Sequence, residues 1–134
     1  EGYGLNPIAI HQLHAEGVKL IVTVDCGITA VNEAELCKQL GIDLVITDHH
    51  ECKEQLPQCA AVVDPHRPDR TYPHTMLSGV GIAFKLAAAL SGDQDAVARR
   101  YCDLICLGTI ADVMTLQGEN RRLVVMGSGW ACAP

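Results

Sequence analysis

The triplet Asp48-His49-His50 stands directly after the apolar run 44–47. A carboxylate and two imidazoles are groups that bind divalent metal ions. Adjacent residues of an extended strand point to opposite faces, so the two histidines can serve one site only if the chain turns after the strand. The end of the predicted strand supplies that turn, and the sequence therefore predicts a metal site there. A set of oxygen and imidazole ligands suits Mn²⁺, Mg²⁺, Fe or Zn²⁺. Without thiolates we interpret the site as one for manganese or magnesium, with zinc through Cys52 as the weaker option.

Two other apolar runs, residues 20–24 and 60–63, also end at an acid, Asp25 and Asp64 respectively. Ligands of open parallel sheets bind beyond the carboxyl ends of the strands, so these acids are expected near the triplet. Asp64 precedes Pro65, which favours an extended conformation. We interpret Asp64 as a turn residue, with a supporting role beside the metal ligands as the alternative.

Ordinary structure is the competing explanation for these acids. Asp48 would then cap a helix that follows it, and the histidines would lie on the surface. Asp112 lies between apolar stretches, where an unpaired carboxylate would be costly. It is therefore expected to have a partner, either a metal ion or the helix end at which it stands.

Four further residues are candidates for binding a phosphate. Arg67 and Arg70 follow the third predicted strand and could neutralise its charge. Gly79 and Gly81 precede a helix and could let backbone N–H groups approach it. The alternatives are a solvated loop for the arginines and tight helix packing for the glycines.

The order of elements predicts an α/β fold, a parallel β-sheet flanked by helices. Residues 18–64 read as strand, helix, strand, short helix and strand, the pattern of right-handed crossovers. The strands are almost continuously apolar, which is typical of strands buried on both faces.

Capping residues predict where the helices begin and end. Asn6-Pro7 begins a first helix, and Thr29 caps a second one that ends at Gly41. Two more helices are predicted over residues 79–90 and 93–107.

Composition limits the classes of function. The 134 residues are 49% hydrophobic, enough for one domain with a core. A net charge of −6 is the wrong sign for a protein that grips nucleic acid with its whole surface, so metal ions or local cations must hold any polyanionic substrate. Seven cysteines without a Cys-x-x-Cys pair indicate reduced thiols. With no apolar run near the roughly 20 residues that span a bilayer, we expect a soluble, cytoplasmic protein that does not contact membranes.

Several stretches together resemble the catalytic domain of the DHH phosphoesterases, a family named for the triplet seen here at 48–50. Within that family the closest likeness is to the RecJ branch, the single-strand-specific exonucleases. The stretches that carry the resemblance are 1–6, 24–28, 63–68, 77–86 and 107–113.

The resemblance implies a two-metal centre. Asp25, His49 and Asp112 would ligate two Mn²⁺ or Mg²⁺ ions, with Asp48 and His50 as catalytic partners that support the ligands or face the phosphate. Such ions, about 4 Å apart, activate water for in-line attack on a phosphodiester. The implied substrate is single-stranded DNA degraded from its 5′ end to mononucleotides, in DNA repair and recombination. The implied protein partners are a helicase and a single-strand-binding protein.

The resemblance also predicts how the chain is organised. Residues 1–127 are expected to form part of a DHH catalytic domain that lacks an Asp-x-Asp ligand pair on an earlier strand and a later substrate-binding domain. Residues 128–134 are expected to be an atypical tail, a truncation or frame artefact, because 127–134 does not look helical. A chain missing these parts is expected to be inactive alone and prone to aggregation at an exposed sheet edge. The alternatives are a DHH enzyme acting on short oligonucleotides, cyclic dinucleotides or pyrophosphate, a silent replication binding module, and a zinc-stabilised structural domain.

Overall fold

The computed structural model describes residues 4–131, with side chains up to Gly129. Within them the chain forms two compact units that divide between Arg70 and Thr71. The first unit contains α1 (Pro7–Ala15), β1 (Leu20–Val24), α2 (Val31–Gln39), β2 (Asp43–Thr47) and β3 (Ala61–Val63). The second contains α3 (Gly79–Ser91), α4 (Gln94–Ala111) and α5 (Gly118–Ala131).

The first unit is built on a parallel sheet with strand order β1-β2-β3. Its register pairs Val24 with Thr47 and Thr47 with Val63, so all three strands end at the same edge. The predicted α/β class and parallel sheet are therefore confirmed. Side chains from α1, α2, β2 and the residue before β2 form one buried core: Ile10, Ala34, Cys37, Ile42, Leu44 and Ile46.

The first helix begins as predicted, and the second begins differently. The Ala9 N–H donates to the Asn6 side chain at 2.9 Å and so caps α1. The predicted cap at Thr29 is wrong, because the Val31 N–H donates to the Thr29 carbonyl in a turn that precedes α2. Gly41 follows the helix with a left-handed φ of 67°, in agreement with its predicted role as terminator.

Two other expectations about the sheet are wrong. Residues 48–60 contain no helix between β2 and β3, since the Asp48 side chain turns into the protein instead of capping a helix. Burial on both faces holds for β2 but not for the outer strands. Val22 and Val24 of β1 and Val63 of β3 are exposed, because α1 and α2 cover only the opposite face of the sheet.

The second unit is a bundle of three helices. Ser78 caps α3 by accepting the Gly81 N–H, and Gly92 ends it with a left-handed φ of 71°. Asp93 caps α4, which continues beyond the predicted end at residue 107 to Ala111. The buried core of this unit consists of Leu77, Ile82, Phe84, Val97, Ala98, Ile105 and Leu123. Among residues 4–131 no helix combines the length and apolar character needed to cross a membrane.

The expectation that residues from 127 onwards do not form a helix is wrong for 127–131, which belong to α5. Gly127 is buried where a Cβ atom would lie 2.1 Å from the Cys102 carbonyl oxygen of α4. The glycine therefore lets the two helix backbones approach closely, a contact that its helix propensity alone does not indicate. The rest of the predicted tail, 132–134, lies outside the described residues.

Candidate metal centre

Asp25 stands at the end of β1 in an unusual backbone conformation. Its N–H donates to the Thr47 carbonyl at 3.0 Å, which extends the β1–β2 ladder by one residue. Its φ of 64° lies in the left-handed region, which is uncommon for a residue other than glycine and which clusters at functional sites. The Thr23 hydroxyl donates to the Cys26 carbonyl at 2.7 Å and holds the turn that follows. This turn holds the half-exposed Asp25 side chain at the carboxyl edge of the sheet.

His49 and His50 lie together at the end of β2. Their ring centroids are 4.5 Å apart, so the chain turns after the strand, as predicted. His49 is buried, and its Nε2 lies 3.0 Å from Oδ1 of Asp25. One donor atom from each of Asp25, His49 and His50 lies within 4.8 Å of the others. The structure thus gathers the strand-end acid and both histidines into one cluster.

The Asp48 side chain is buried in the protein and contacts the cluster through His50. Its Oδ2 accepts the Ile28 N–H at 2.9 Å, and its Oδ1 accepts the His49 N–H at 2.8 Å. The same Oδ1 lies 2.6 Å from Nδ1 of His50. Burial raises the pKa of the Asp48 carboxyl, but the hydrogen bonds from Ile28, His50 and His49 outweigh it and hold the pKa below its usual range. The interpretation of Asp48 as a helix cap is therefore wrong, since its carboxylate organises the turn that carries the histidines.

The contact between Asp48 and His50 also orients the His50 ring. Metal-binding histidines usually donate the N–H of their second nitrogen to a carboxylate, which orients the ring. His50 has this arrangement through Nδ1, and its side chain is half-exposed.

Asp64 forms the turn predicted for it and is also buried. The His66 N–H donates to Oδ1 of Asp64 at 2.7 Å, which confirms the turn. The side chain is nevertheless fully buried, and Oδ2 has no hydrogen-bond partner among the described residues. Burial raises the pKa of this carboxyl, a shift that the His66 N–H opposes. A supporting role beside the metal ligands, the alternative to the turn, stays a prediction.

Asp112 belongs to the second unit. It is the C-cap residue of α4 and is exposed, so the expectation of apolar surroundings is wrong, because the neighbouring Leu107 and Ile110 are exposed too. Val113, directly after it, has a φ of 54°, a rare conformation for a β-branched residue. Ligation by Asp112 stays a prediction.

The two arginines of the loop after β3 bind within the loop itself. The Arg67 guanidinium donates to both carboxylate oxygens of Asp69, at 2.9 and 2.5 Å, and to the Val62 carbonyl at 2.5 Å. Arg70 is exposed and donates to the Arg67 carbonyl at 3.3 Å. The competing interpretation of a solvated loop describes Arg70 better than Arg67, and phosphate binding by either stays a prediction.

Gly79 and Gly81 are buried at the start of α3. The Gly81 N–H donates to the Ser78 hydroxyl at 3.2 Å, and a Cβ atom on Gly81 would lie 2.8 Å from Leu77 Cδ1. These contacts favour the packing explanation for Gly81. A buried polar network that sequence analysis missed surrounds Ser78, whose hydroxyl lies 2.9 Å from that of Thr109 and whose N–H donates to the Asn120 side chain.

The donor chemistry of the cluster fits a divalent ion. A carboxylate with two imidazoles suits Mn²⁺, Fe²⁺ or Zn²⁺ better than Mg²⁺, which prefers oxygen ligands. Within residues 4–131, the group of three or more potential ligands is Asp25, His49 and His50. Cys52 is not part of it, so the zinc alternative through this thiol has no support in the arrangement.

Comparison with known proteins assigns the family. The sequence profile described as "DHH family, N-terminal domain" matches residues 5–109. The chain belongs to the DHH family. The family resemblance inferred from the sequence is thereby confirmed.

The relatives of this DHH chain include several exonucleases. It is 48% identical over 127 residues to the single-stranded-DNA-specific exonuclease RecJ of Bacillus subtilis (strain 168), and 40% identical over 139 residues to that of Escherichia coli (strain K12). These alignments cover 95% of the chain, which spans 16% and 24% of the two relatives.

Solved structures agree with this fold. A crystal structure of exonuclease RecJ bound to manganese superposes with a TM-score of 0.76 at 37% identity, covering 95% of this chain and 32% of that one. RecJ from Thermus thermophilus, in complex with Mn²⁺, gives a TM-score of 0.71 at 36% identity, covering 90% and 18% respectively. The DHH chain therefore has the fold of part of these manganese-bound proteins.

Proposed function

We propose that this chain is part of the catalytic domain of a metal-dependent nuclease that hydrolyses single-stranded DNA from its 5′ end. The observation that carries the proposal is the meeting of Asp25, His49 and His50 within 4.8 Å at the carboxyl edge of a parallel sheet. The names of the relatives, single-stranded-DNA-specific exonucleases, support the choice of substrate. We assign residues 1–127 to this domain, since the family profile extends over both units.

Asp25 and His49 are proposed as ligands of Mn²⁺ or Mg²⁺ in a two-ion centre, with Asp112 as a further ligand. The manganese in the two similar structures and the imidazole content of the cluster favour Mn²⁺ of these two ions. When bound, such ions supply positive charge that polarises a phosphodiester and lowers the pKa of water. The left-handed backbone at Asp25, and at Val113 beside Asp112, supports a functional role for both acids, because strain of this kind persists where function needs it.

His50 is proposed to act on the substrate side of the centre, and Asp48 to support it from within the protein. The Asp48 carboxylate holds Nδ1 of His50 and so orients the ring, with Nε2 as the nitrogen proposed to face the scissile phosphate. A carboxylate partner also stabilises the protonated imidazole, which can donate a hydrogen bond to a phosphate oxygen. Asp48 is thus assigned to orient and charge-balance His50.

Contacts with the DNA are proposed to be local. Because the net charge of the chain is −6, its surface as a whole repels a polyanion, and binding depends on the metal centre and a few cations. Of the two loop arginines, Arg70 is the better candidate to bind a phosphate of the DNA, because it is exposed. Arg67, Gly79 and Gly81 are proposed to line the path of the substrate. By resemblance, we propose mononucleotide products and a role in repair and recombination with a helicase and a single-strand-binding protein. The six cysteines within the described residues are free thiols, which fits the reducing cytoplasm, where we place this activity.

The test uses the longest natural polypeptide that carries this sequence, incubated with Mn²⁺ and a 5′-phosphorylated single strand. We expect release of mononucleotides, little release from a blunt duplex, and loss of release in His49→Ala. His14→Ala, an exposed histidine on α1, is the matched control and should behave as wild type. Metal-dependent cleavage of a cyclic dinucleotide without cleavage of the single strand would instead support the small-substrate alternative. No cleavage of either would support a silent binding module.

A further inference from the structure

Asp64 is a buried acid to which the proposed mechanism gives no role. Its side chain has an exposure of 0% and lies at the end of β3, beside the end of β2. The His66 N–H bonds only Oδ1, so Oδ2 has no hydrogen-bond partner among the described residues. A buried carboxylate oxygen without a partner destabilises a fold, and such a feature calls for an explanation.

The position of Asp64 connects it to the candidate metal centre. The Asp48 N–H donates to the Val63 carbonyl at 3.0 Å. Because Val63 directly precedes Asp64, the turn at residues 48–50 begins beside Asp64. Asp64 interacts electrostatically with both Asp48 and His49, although no direct hydrogen bond joins them. The third strand-end acid therefore stands next to the cluster without belonging to it.

The charged neighbours of Asp64 do not neutralise it fully. Nδ1 of His66 lies 3.5 Å from Oδ1, beyond a good hydrogen bond, and it too has no hydrogen-bond partner within the described part. Arg67 is nearby, but its guanidinium is held by Asp69. Glu51 faces the other side of the His66 ring at 3.7 Å and adds negative charge.

We propose that Asp64 is a positioning residue of the metal centre, whose buried carboxylate adds negative charge beside His49 and so strengthens cation binding by Asp25 and His49. This inference rests on the proposed metal centre. Carboxylates that are hydrogen-bonded to a metal ligand contribute about 10–100-fold to metal affinity. A nearby carboxylate without that bond acts through its charge, so its contribution is expected at the lower end of this range. In the low dielectric of a buried site a negative charge acts on a divalent ion over several ångströms.

A purely structural turn residue makes a different prediction. The turn needs only the bond from the His66 N–H to Oδ1, and an asparagine oxygen can accept the same bond. Asp64→Asn therefore keeps the turn and removes the charge. If Asp64 serves only the turn, this variant should bind metal as the wild type does.

The experiment measures Mn²⁺ binding by the electron paramagnetic resonance signal of free Mn²⁺, in the longest natural polypeptide that carries this sequence. We expect Asp64→Asn to weaken binding about tenfold, or about 1.4 kcal/mol, at the lower end of the range for such partners. Its melting temperature without metal should be unchanged or higher, because a buried charge has been removed. Asp43→Asn is the matched control, an exposed acid at the opposite end of β2, and should bind within about twofold of wild type.

Three other results would overturn the proposed role of Asp64. Equal affinity in Asp64→Asn and wild type overturns the inference and leaves the proposed metal centre intact. A marked fall in the metal-free melting temperature of Asp64→Asn also overturns it, in favour of a structural role. Failure of the wild type to bind Mn²⁺ overturns the metal centre and the inference together. Wild-type binding that is lost in His49→Ala supports the metal centre, so that the affinity of Asp64→Asn then tests the inference alone.

Discussion

Asp48 is the residue whose contribution to the stability of the fold can be derived most directly from its hydrogen bonds. It is 1% exposed, and in Asp48→Asn one of its two oxygens becomes an NH₂ group. If the remaining oxygen keeps the His49 N–H, the new NH₂ group faces the Ile28 N–H, so two donors oppose each other. Losing a hydrogen bond to a charged group and leaving a buried donor unpaired costs about 3 kcal/mol in free energy of unfolding. For a chain of this length that corresponds to a fall in melting temperature of about 10 °C.

The pH dependence gives this prediction a second, independent measure. Because the folded-state pKa of Asp48 is lowered, its stabilisation is fully present above the unfolded pKa of about 3.9 and is lost as the pH falls through the folded value. Urea denaturation followed by far-UV circular dichroism should therefore show a large deficit for Asp48→Asn at pH 7 that shrinks below about pH 4. Asp43→Asn removes the same charge from an exposed position and should change stability by less than about 0.5 kcal/mol. A deficit below about 1 kcal/mol at pH 7, or one that does not change with pH, would refute the reasoning.

Two further predictions concern packing. Gly127→Ala places a methyl group against a backbone carbonyl of α4 and should destabilise the helical unit by about 3 kcal/mol or more. Gly129→Ala has open space around the new methyl group and should stabilise α5 by about 0.5–1 kcal/mol. Similar melting temperatures for the two variants would show that α5 does not pack as described. The exposed apolar residues of β1 should promote self-association, so light scattering should fall in Val22→Lys, and a wild-type chain that is already monodisperse would contradict this expectation.

The sequence predicted the cluster because its signals were local. Asp25 and the triplet each follow a short apolar run, and the parallel arrangement of those runs brings their ends to one edge. The turn that unites His49 and His50 could be expected from the end of the strand. Position along the chain was therefore enough to bring these residues to one edge, but it did not distinguish Asp25, which joins the cluster, from Asp64, which does not.

Contacts between distant residues account for most of what sequence analysis missed. Asp48 turns inward because the Ile28 N–H, twenty residues earlier in the chain, offers a buried donor, and no helix forms after it as a result. α5 continues through Gly127 because Cys102 of α4 lies against it. The engagement of Arg67 by Asp69, two residues away, is different, since a local ion pair of this kind could have been predicted.

The central claim is that Asp25 and His49 hold a divalent metal ion at the carboxyl edge of the sheet. Anomalous diffraction at the manganese absorption edge, from crystals of the longest natural polypeptide grown with Mn²⁺, tests it most directly. We predict an anomalous peak bonded to Oδ1 of Asp25 and Nε2 of His49, the two atoms that now lie 3.0 Å apart. Manganese bound elsewhere, with these two atoms still in contact with each other and no peak between them, would contradict the account.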